Sequence, residues 1–184
     1  TFDCSNVGGN IVVLTATDGS NNMASCNATV TIEDNIAPQA ICQNLTIQLD
    51  ATGNFTVPAA SIDNGSSDAC NIVSTTLDLS TFNCTNIGGN VVVLIVVDAN
   101  GNNSNCTATI TVEDDETPTA NCQNITVQLD ATGSATIAAA ALDNGSTDNC
   151  TNLNFTASLT AFTCANVGAN NVTLTVSDNA GNTD

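Results

Sequence analysis

The side chains with the most evident chemistry in this sequence are nine cysteines and eighteen carboxylates, because it has no lysine, arginine or histidine. The closest cysteines are fourteen residues apart, so the clustered pairs typical of zinc sites are absent. Plentiful, widely spaced cysteines indicate disulfides, and hence an oxidising location outside the cytosol. They recur at an offset of eighty residues in four sets: Cys4, Cys84 and Cys164; Cys26 and Cys106; Cys42 and Cys122; Cys70 and Cys150.

The lack of basic residues argues against several functions. Without histidine or lysine the chain has no usual general base for nucleophilic catalysis. A carboxylate pair can hydrolyse glycosides, but clefts that bind sugars are usually lined by Trp and Tyr, and this chain has neither. Nucleic acids and anionic membranes require cationic side chains. We therefore expect no enzymatic activity, no nucleic-acid partner and no direct membrane contact.

The carboxylates suggest binding of a hard cation such as Ca²⁺, which takes carboxylate, amide and backbone oxygens. Candidate ligands lie in the acidic linker 113–116 and its earlier copy, in the loop 63–68 and its copy 143–148, and in the turn 98–102. Asp, Asn and Gly also fill turns for their backbone preferences alone, which is the interpretation we favour for the turn at Asp98. The candidate metal ligands are Asp34, Asp63, Asp68, Glu113, Asp114, Asp115, Asp143 and Asp148.

The sequence around the cysteines repeats with them. Residues 81–90 repeat residues 1–10, and residues 122–133 repeat residues 42–53 with conservative changes. A repeat of eighty residues is a small domain rather than a rung of a solenoid. We expect the end of one copy at 1–36, a complete copy at 37–116, and a copy lacking its last strand at 117–184, called below the first, middle and third copies.

Each copy is predicted to be a small β-domain. Short alternating runs of Val, Ile and Thr are separated by Gly, Asn and Asp turns, with six or seven strands expected per copy. This pattern is typical of an antiparallel, immunoglobulin-like β-sandwich. With five Phe and no Trp or Tyr the core is thin, so disulfides worth about 2–4 kcal/mol each matter to its stability.

The predicted fold favours one disulfide pairing. Cys42 begins the first strand of the middle copy and Cys106 begins the last, and in such sandwiches these strands can run side by side in parallel. We therefore expect Cys42–Cys106, with Cys70–Cys84 closing the second bridge around the middle strand. The sequential alternative, Cys42–Cys70 with Cys84–Cys106, stays open.

The same pairing in the third copy joins Cys150 to Cys164. Three cysteines are then left with partners outside this sequence, namely Cys4, Cys26 and Cys122.

The order of these motifs resembles the hyalin repeat (HYR) family, in particular the HYR-like tandem repeats of very large surface proteins of gliding and other Bacteroidota. The resemblance implies an immunoglobulin-like fold and an extracellular, adhesive or filamentous role. It covers the whole chain and rests on Phe82-x-Cys84-x-x-x-Gly88, Asp98, Gly101-Asn102, Cys106, an acidic linker, Pro118 and Cys122-Gln123-Asn124.

Two functions are compatible with these features. The first is a rigid stalk or filament shaft on the cell surface or in a secreted filament, with neighbouring copies of the same chain, and identical chains, as partners. The alternative is an adhesive module that binds a glycan or a surface through each copy. The absence of Trp and Tyr, the usual anchors of recognition, favours the stalk.

The strongest predicted strand, residues 90–97, is apolar on both faces. Its inward positions are expected to be Val92, Leu94 and Val96. The other face carries polar residues at several equivalent positions in the flanking copies, whereas the middle copy carries only apolar ones. We expect this face to be covered by a neighbouring chain or a loop, with the interface residues Val91, Val93, Ile95 and Val97.

Overall fold

The structure, a computed structural model, describes residues 1–184 and confirms the all-β prediction: it contains strands and short 3₁₀ turns but no α-helix. No helix in it is long and apolar enough to cross a membrane. The strands are β1 (Gly8–Thr17), β2 (Met23–Ile32), β3 (Leu45–Gln48), β4 (Asn54–Thr56), β5 (Ile72–Leu77), β6 (Thr81–Asn83), β7 (Gly88–Asp98), β8 (Asn103–Glu113), β9 (Ser134–Thr136), β10 (Asn154–Ala157), β11 (Ala161–Thr163) and β12 (Leu174–Ser177).

The middle copy contributes a four-stranded sheet with the order β3-β8-β7-β5 and a separate pair, β4 and β6. Strand β3 runs parallel to β8, with Leu45 opposite Ile110, whereas β5 runs antiparallel to β7. The first and last strands of this copy are therefore parallel neighbours, as the sequence analysis required for the Cys42–Cys106 bond.

Segments eighty residues apart fold alike where both have their partners. The antiparallel pair β4 and β6 recurs as β9 and β11, and the pairing of β5 with β7 recurs as β10 with β12. Residues 125–128, the copy of β3, form no strand.

A short 3₁₀ turn, Cys84–Asn86, follows β6 and positions a cysteine. The side chain of Asn83 accepts a hydrogen bond from the Thr85 N–H at 2.9 Å, and the side chain of Asn86 accepts one from the Asn83 N–H at 3.0 Å. These reciprocal bonds satisfy N–H groups that a short turn leaves free. The same arrangement occurs at Cys4–Asn6 and Cys164–Asn166.

The chain divides into two compact units. The first unit comprises Thr1–Asn44, Pro58–Leu79 and Val91–Ala108, and the second comprises Leu45–Val57, Ser80–Asn90 and Thr109–Asp184. The division runs through the middle copy, so each unit contains a point at which one copy follows another.

Each unit has its own buried residues. In the first, Val92, Leu94 and Val96 are fully buried at 0% exposure, which confirms the predicted inward face of β7. In the second, the side chains of Leu142, Leu174 and Val176 pack together beneath partly buried neighbours that include Ile137 and Phe155. Further buried residues of the second unit are Ile47, Leu49, Val57, Phe82, Ile110 and Val112.

The outward face of β7 is partly open to solvent. Val91 is 70% exposed and Ile95 is 36% exposed, while Val93 and Val97 are half-buried. Ile95 and Val97 lie opposite Thr76 and Ser74 of β5, which shields only their edges. No loop of the chain buries this face, and its coverage by a neighbouring chain stays a prediction.

Candidate functional site

Three disulfides are formed: Cys4–Cys70, Cys42–Cys106 and Cys84–Cys150, with Cα–Cα distances of 5.2, 5.8 and 5.5 Å. Each lies within one compact unit, the first two in the first unit and the last in the second. The bond between Cys42 and Cys106 agrees with the sequence analysis, since it joins the starts of the parallel first and last strands. The other two bonds each join one sequence copy to the next and span 66 residues.

The predicted bonds Cys70–Cys84 and Cys150–Cys164 are wrong. Cys70 is bonded to Cys4, Cys84 is bonded to Cys150, and Cys164 is unbonded and exposed.

The length of β7 explains this error. Cys84 lies in the turn just before β7, whereas Cys70 lies near its far end, where the Ala99 N–H donates to the Asn71 carbonyl at 3.0 Å. The eleven residues of β7 extend over roughly 33 Å. A disulfide needs Cα atoms within about 7 Å, so the two cysteines that flank the middle strand in sequence cannot meet.

The predicted set of unpaired cysteines was correct at two of its three positions. Cys26 and Cys122 are unbonded and exposed, but Cys4 has a partner within the chain.

The Cys84–Cys150 disulfide packs tightly against the turn at Gly53. Gly53 has a φ of 71°, and a Cβ placed there would lie 2.7 Å from the Cys84 sulfur and 2.8 Å from the Asn149 carbonyl oxygen. Only glycine fits this site, because it tolerates the left-handed backbone and leaves room for the sulfur. Cys150, the partner of Cys84, is 7% exposed.

Beside this disulfide lies an acidic cluster formed by Asp114, Asp148 and Asp178. Each residue offers a carboxylate oxygen, and these oxygens lie within 4.8 Å of one another. Asp114 is 7% exposed and Asp178 is 4% exposed, while Asp148 is half-buried. The linker, the loop before Cys150 and the turn after β12 thus contribute one residue each.

The turn after β12 holds Asp178 in place. Its Oδ1 accepts from the N–H groups of Gly181 and Asn182 at 2.6 and 2.8 Å, and its Oδ2 accepts from the Asn182 side chain at 2.7 Å. The same Asn182 amide donates to the backbone oxygen of Asp114 at 3.0 Å. One asparagine therefore ties the turn to the linker.

Asn149 orients the other side of the cluster. Its side-chain amide donates to Asp114 Oδ1 and to the Asp50 carbonyl, both at 3.1 Å. The Cys150 N–H donates to Asp148 Oδ2 at 2.8 Å. Three buried oxygens of this group have no hydrogen-bond partner: Asp114 Oδ2, Asp148 Oδ1 and Asn149 Oδ1.

The first unit carries the same residues eighty positions earlier. Asp34 and Asp68 lie together beside the disulfide-bonded Cys70, whose sulfur is not available as a thiolate. Asn102 donates to the Asp34 carbonyl at 3.0 Å and to Asp98 Oδ2 at 2.7 Å, and Asp34 Oδ2 is buried without a partner. Ala69 occupies the position of Asn149.

Asp98 shows how these turns hold a buried carboxylate. Burial raises its pKa, but hydrogen bonds from the Asn102 side chain and from the N–H groups of Asn100, Asn102 and Gly101 outweigh that effect. The pKa of Asp98 is therefore lower than its ordinary value of 3.8. The turn interpretation favoured from sequence accounts for these bonds.

Four of the eight candidate metal ligands lie in these groups: Asp34, Asp68, Asp114 and Asp148. The other four, Asp63, Glu113, Asp115 and Asp143, lie outside them.

Two of the outlying acids have turn roles. Asp63 and Asp143 accept bonds from the Ser66 and Ser146 N–H groups at 2.9 Å, closing their own loops. Glu113 is exposed and accepts from Gln48 at 2.7 Å, and Asp115 is exposed.

Asp178 and Asn149 were not among the metal ligands expected from the sequence. The available signal was that Asp178 copies Asp98, whose turn had been noted, and that Asn149 replaces the Ala69 of the earlier copy.

No model of a known protein family matches the chain. A comparison with curated proteins likewise found no match.

Proposed function

We propose that this chain is a structural segment of a long extracellular surface protein, in which immunoglobulin-like copies of about 80 residues are stapled to their successors to form a rigid stalk or filament shaft. The disulfides that join one copy to the next carry this proposal. They also support an oxidising environment. Parallel pairing of β3 with β8 and the separate β4–β6 pair support a sandwich in the middle copy.

The disulfides create a short covalent path along the chain. Starting at Cys4, the path crosses to Cys70, follows the backbone to Cys84 and crosses to Cys150. The backbone between Cys70 and Cys84 can extend by at most roughly 50 Å, whereas the backbone from Cys4 to Cys150 can extend by roughly 500 Å. A pulled chain therefore transmits tension through the staples while most of each copy lies outside the loaded path.

The third disulfide, Cys42–Cys106, overlaps the loops closed by the other two. Cys42 lies inside the loop closed by Cys4–Cys70, and Cys106 lies inside the loop closed by Cys84–Cys150. It is not on the shortest path, so its role in this scheme is to hold the two strands of the middle copy together. Covalent continuity of this kind suits a shaft, and it is not needed in an independent binding module.

Single-molecule stretching tests the proposal. The oxidised chain, held by its two ends with the unpaired cysteines alkylated, should extend between Cys4 and Cys150 to no more than roughly 50 Å, and reduction should raise that limit to roughly 500 Å. Removing Cys84 and Cys150 by Ser substitution should raise the oxidised limit to roughly 250 Å, because the path must then use Cys42–Cys106.

Ser substitution of Cys42 and Cys106 is the matched control. It removes a disulfide of similar loop length but should leave the oxidised limit near roughly 50 Å. Long extension of the oxidised wild-type chain would remove the basis for a stapled shaft.

A further inference from the structure

We propose that the acidic cluster of Asp114, Asp148 and Asp178 is a Ca²⁺ site, with Asn149 as an additional oxygen ligand. The site is built within the second unit alone, so it stands whether or not the chain serves as a stalk. It differs from the ligands expected from sequence because it includes Asp178 and the amide of Asn149. It omits the nearby Glu113, Asp115 and Asp143.

Charge is the first reason. Three carboxylates converge, and two of their side chains are at least nine-tenths buried. The chain contains no lysine, arginine or histidine, so no side chain of its own can neutralise them. Buried charges in proteins are paired or coordinate metals, and the chain offers no cationic side chain to pair with these carboxylates.

The unpartnered oxygens are the second, independent reason. Asp114 is 93% buried, and its Oδ2 has no donor. Asp148 Oδ1 and Asn149 Oδ1 are likewise buried and unsatisfied. Buried acceptors nearly always have a partner, and a cation bound among the carboxylates would supply one.

The hydrogen bonds around the cluster leave the right atoms free. Asp114 uses Oδ1 to accept from Asn149, and Asp148 uses Oδ2 to accept from the Cys150 N–H. In each carboxylate the second oxygen remains available. Outer hydrogen bonds of this kind orient the ligands of metal sites.

The ligand types favour Ca²⁺, and the spacing of the carboxylates is compatible with it. Carboxylate oxygens of the three acids lie within 4.8 Å of one another, which fits a sphere of oxygens at the 2.3–2.6 Å typical of Ca²⁺. Carboxylates, an amide oxygen and water make up the flexible set of six to eight ligands that Ca²⁺ accepts, whereas Mg²⁺ demands a closer octahedron. Zinc is disfavoured because imidazole and free thiolate are absent from the cluster.

Calorimetric titration of Ca²⁺ into the disulfide-intact, chelator-stripped chain tests the site. The wild-type chain should bind Ca²⁺, and Asp114→Asn should weaken this binding about tenfold or more, in the range seen when supported metal sites are altered. Asp115→Asn is the matched control, because it removes the same charge from an exposed neighbour in the same linker. It should change the affinity by less than about twofold, as expected for a screened surface charge.

Melting temperatures measured without Ca²⁺ show whether Asp114→Asn folds. This variant should melt no lower than wild type in chelator, since it removes one of three repelling charges, and it should gain less from added Ca²⁺. Asn149→Ala provides a second test and should weaken binding several-fold with the carboxylates intact.

Three results would overturn the site. The first is no binding by wild type at about 5 mM Ca²⁺, which exceeds the 10⁻⁴–10⁻³ M range of weak extracellular modules. The second is equal weakening by Asp114→Asn and Asp115→Asn, which would indicate a diffuse charge effect. The third is equal affinity for Mg²⁺.

Discussion

The two junctions between sequence copies use the same residue types but differ in packing. The first junction, in the first unit, contains Cys4–Cys70 and Asp34; the second junction, in the second unit, contains Cys84–Cys150 and Asp114. Cys4 is exposed and Cys70 is half-buried, whereas their copies Cys84 and Cys150 are half-buried and 7% exposed. Covalent connection and tight packing are therefore separable properties of these junctions.

The difference has a local cause. At the second junction the turn that contains Gly53 packs against the Cys84 sulfur, and Asn149 bonds to the Asp50 carbonyl of that turn. At the first junction Ala69 replaces Asn149, so the side-chain bonds that Asn149 makes are missing there. At the second junction the turn at Gly53 therefore adds contacts to the disulfide that the bond alone does not provide.

Removing the Cys4–Cys70 or the Cys84–Cys150 disulfide is expected to cause the largest losses of stability. Comparing the two losses separates the contribution of loop entropy from that of packing. Both bonds close loops of 66 residues, so the entropic loss is about 4 kcal/mol in each case. Replacing Cys84 and Cys150 by Ser should cost about 1–2 kcal/mol more than replacing Cys4 and Cys70, because the first change also disrupts buried contacts. Native-state hydrogen exchange in β12 and β7 would measure the two losses, and equal losses would contradict a packing contribution.

Glycine substitutions test the role of the turn. Gly65→Ala should cost about 1–2 kcal/mol, because only the left-handed backbone is strained and nothing lies within 4 Å of the added Cβ. Gly53→Ala should cost about 1–2 kcal/mol more, since the Cys84 sulfur is fixed in a bond and the Asn149 carbonyl is backbone. Thermal melts of both variants measure this.

Gly133→Ala should have an effect on stability between those of Gly65→Ala and Gly53→Ala. Its Cβ would lie 2.8 Å from the sulfur of Cys164, which is unbonded and exposed. That side chain can move, so the melting temperature should fall between those of the other two variants. A Gly53→Ala chain as stable as Gly65→Ala would refute tight packing at the second junction.

Exchange of Ala69 and Asn149 tests what distinguishes the acidic groups. Ala69→Asn should strengthen Ca²⁺ binding at the first junction several-fold, because it adds an amide oxygen near Asp34 and Asp68. Titration calorimetry in an Asp114→Asn background isolates that junction. No gain in this background would show that the burial supplied by the turn, and not the amide, makes the second junction the better site.

The smallest effect expected is on the pH dependence of stability in acid. Hydrogen bonds from the Thr52 side chain and from the Asn54 and Thr52 N–H groups hold the pKa of Asp50 below its ordinary value of 3.8. The unfolded chain therefore binds more protons as the pH falls towards the folded pKa, and stability that is complete above about pH 4 decreases below it. Asp50→Asn should flatten this decrease in melts recorded in chelator between about pH 5 and 2.5.

The copy of this turn provides the control for the acid prediction. The pKa of Asp130 is lowered by the equivalent bonds from Thr132 and Ser134, but no Asn149 contact reaches its carbonyl. Asp130→Asn should flatten the decrease to a similar extent while leaving the second junction intact. An unchanged slope in both variants would contradict the assigned role of these turns.

Much of the fold was predictable because it depends on local patterns. Alternation placed Val92, Leu94 and Val96 inward, and Cys42–Cys106 followed from the parallel relation of the first and last strands. The cysteine pairs flanking the middle strand were not predictable in this way. Proximity in sequence favoured Cys70–Cys84, but an extended strand carries its two ends apart.

The candidate site was predictable only in part. Asp34, Asp68, Asp114 and Asp148 were recognised from charge and repetition, whereas Asp63 and Asp143 were included for the same reason and close their own loops instead. Composition reports how many carboxylates there are. It does not report which of their oxygens already have donors.

The sequence by itself determined the β class, the presence of disulfides and the negative charge with no basic side chain to balance it. These follow from the residue types, from the alternation of apolar residues along the strands and from the eighty-residue repeat. Tertiary structure alone decided that Cys84 meets Cys150 and that Asp114 meets Asn149 and Asp178. Asn149 reaches Asp114 across 35 residues, and Asn182 reaches it across 68. Contacts over such separations depend on strand lengths and on the turn at Gly53, which place these residues in one cluster.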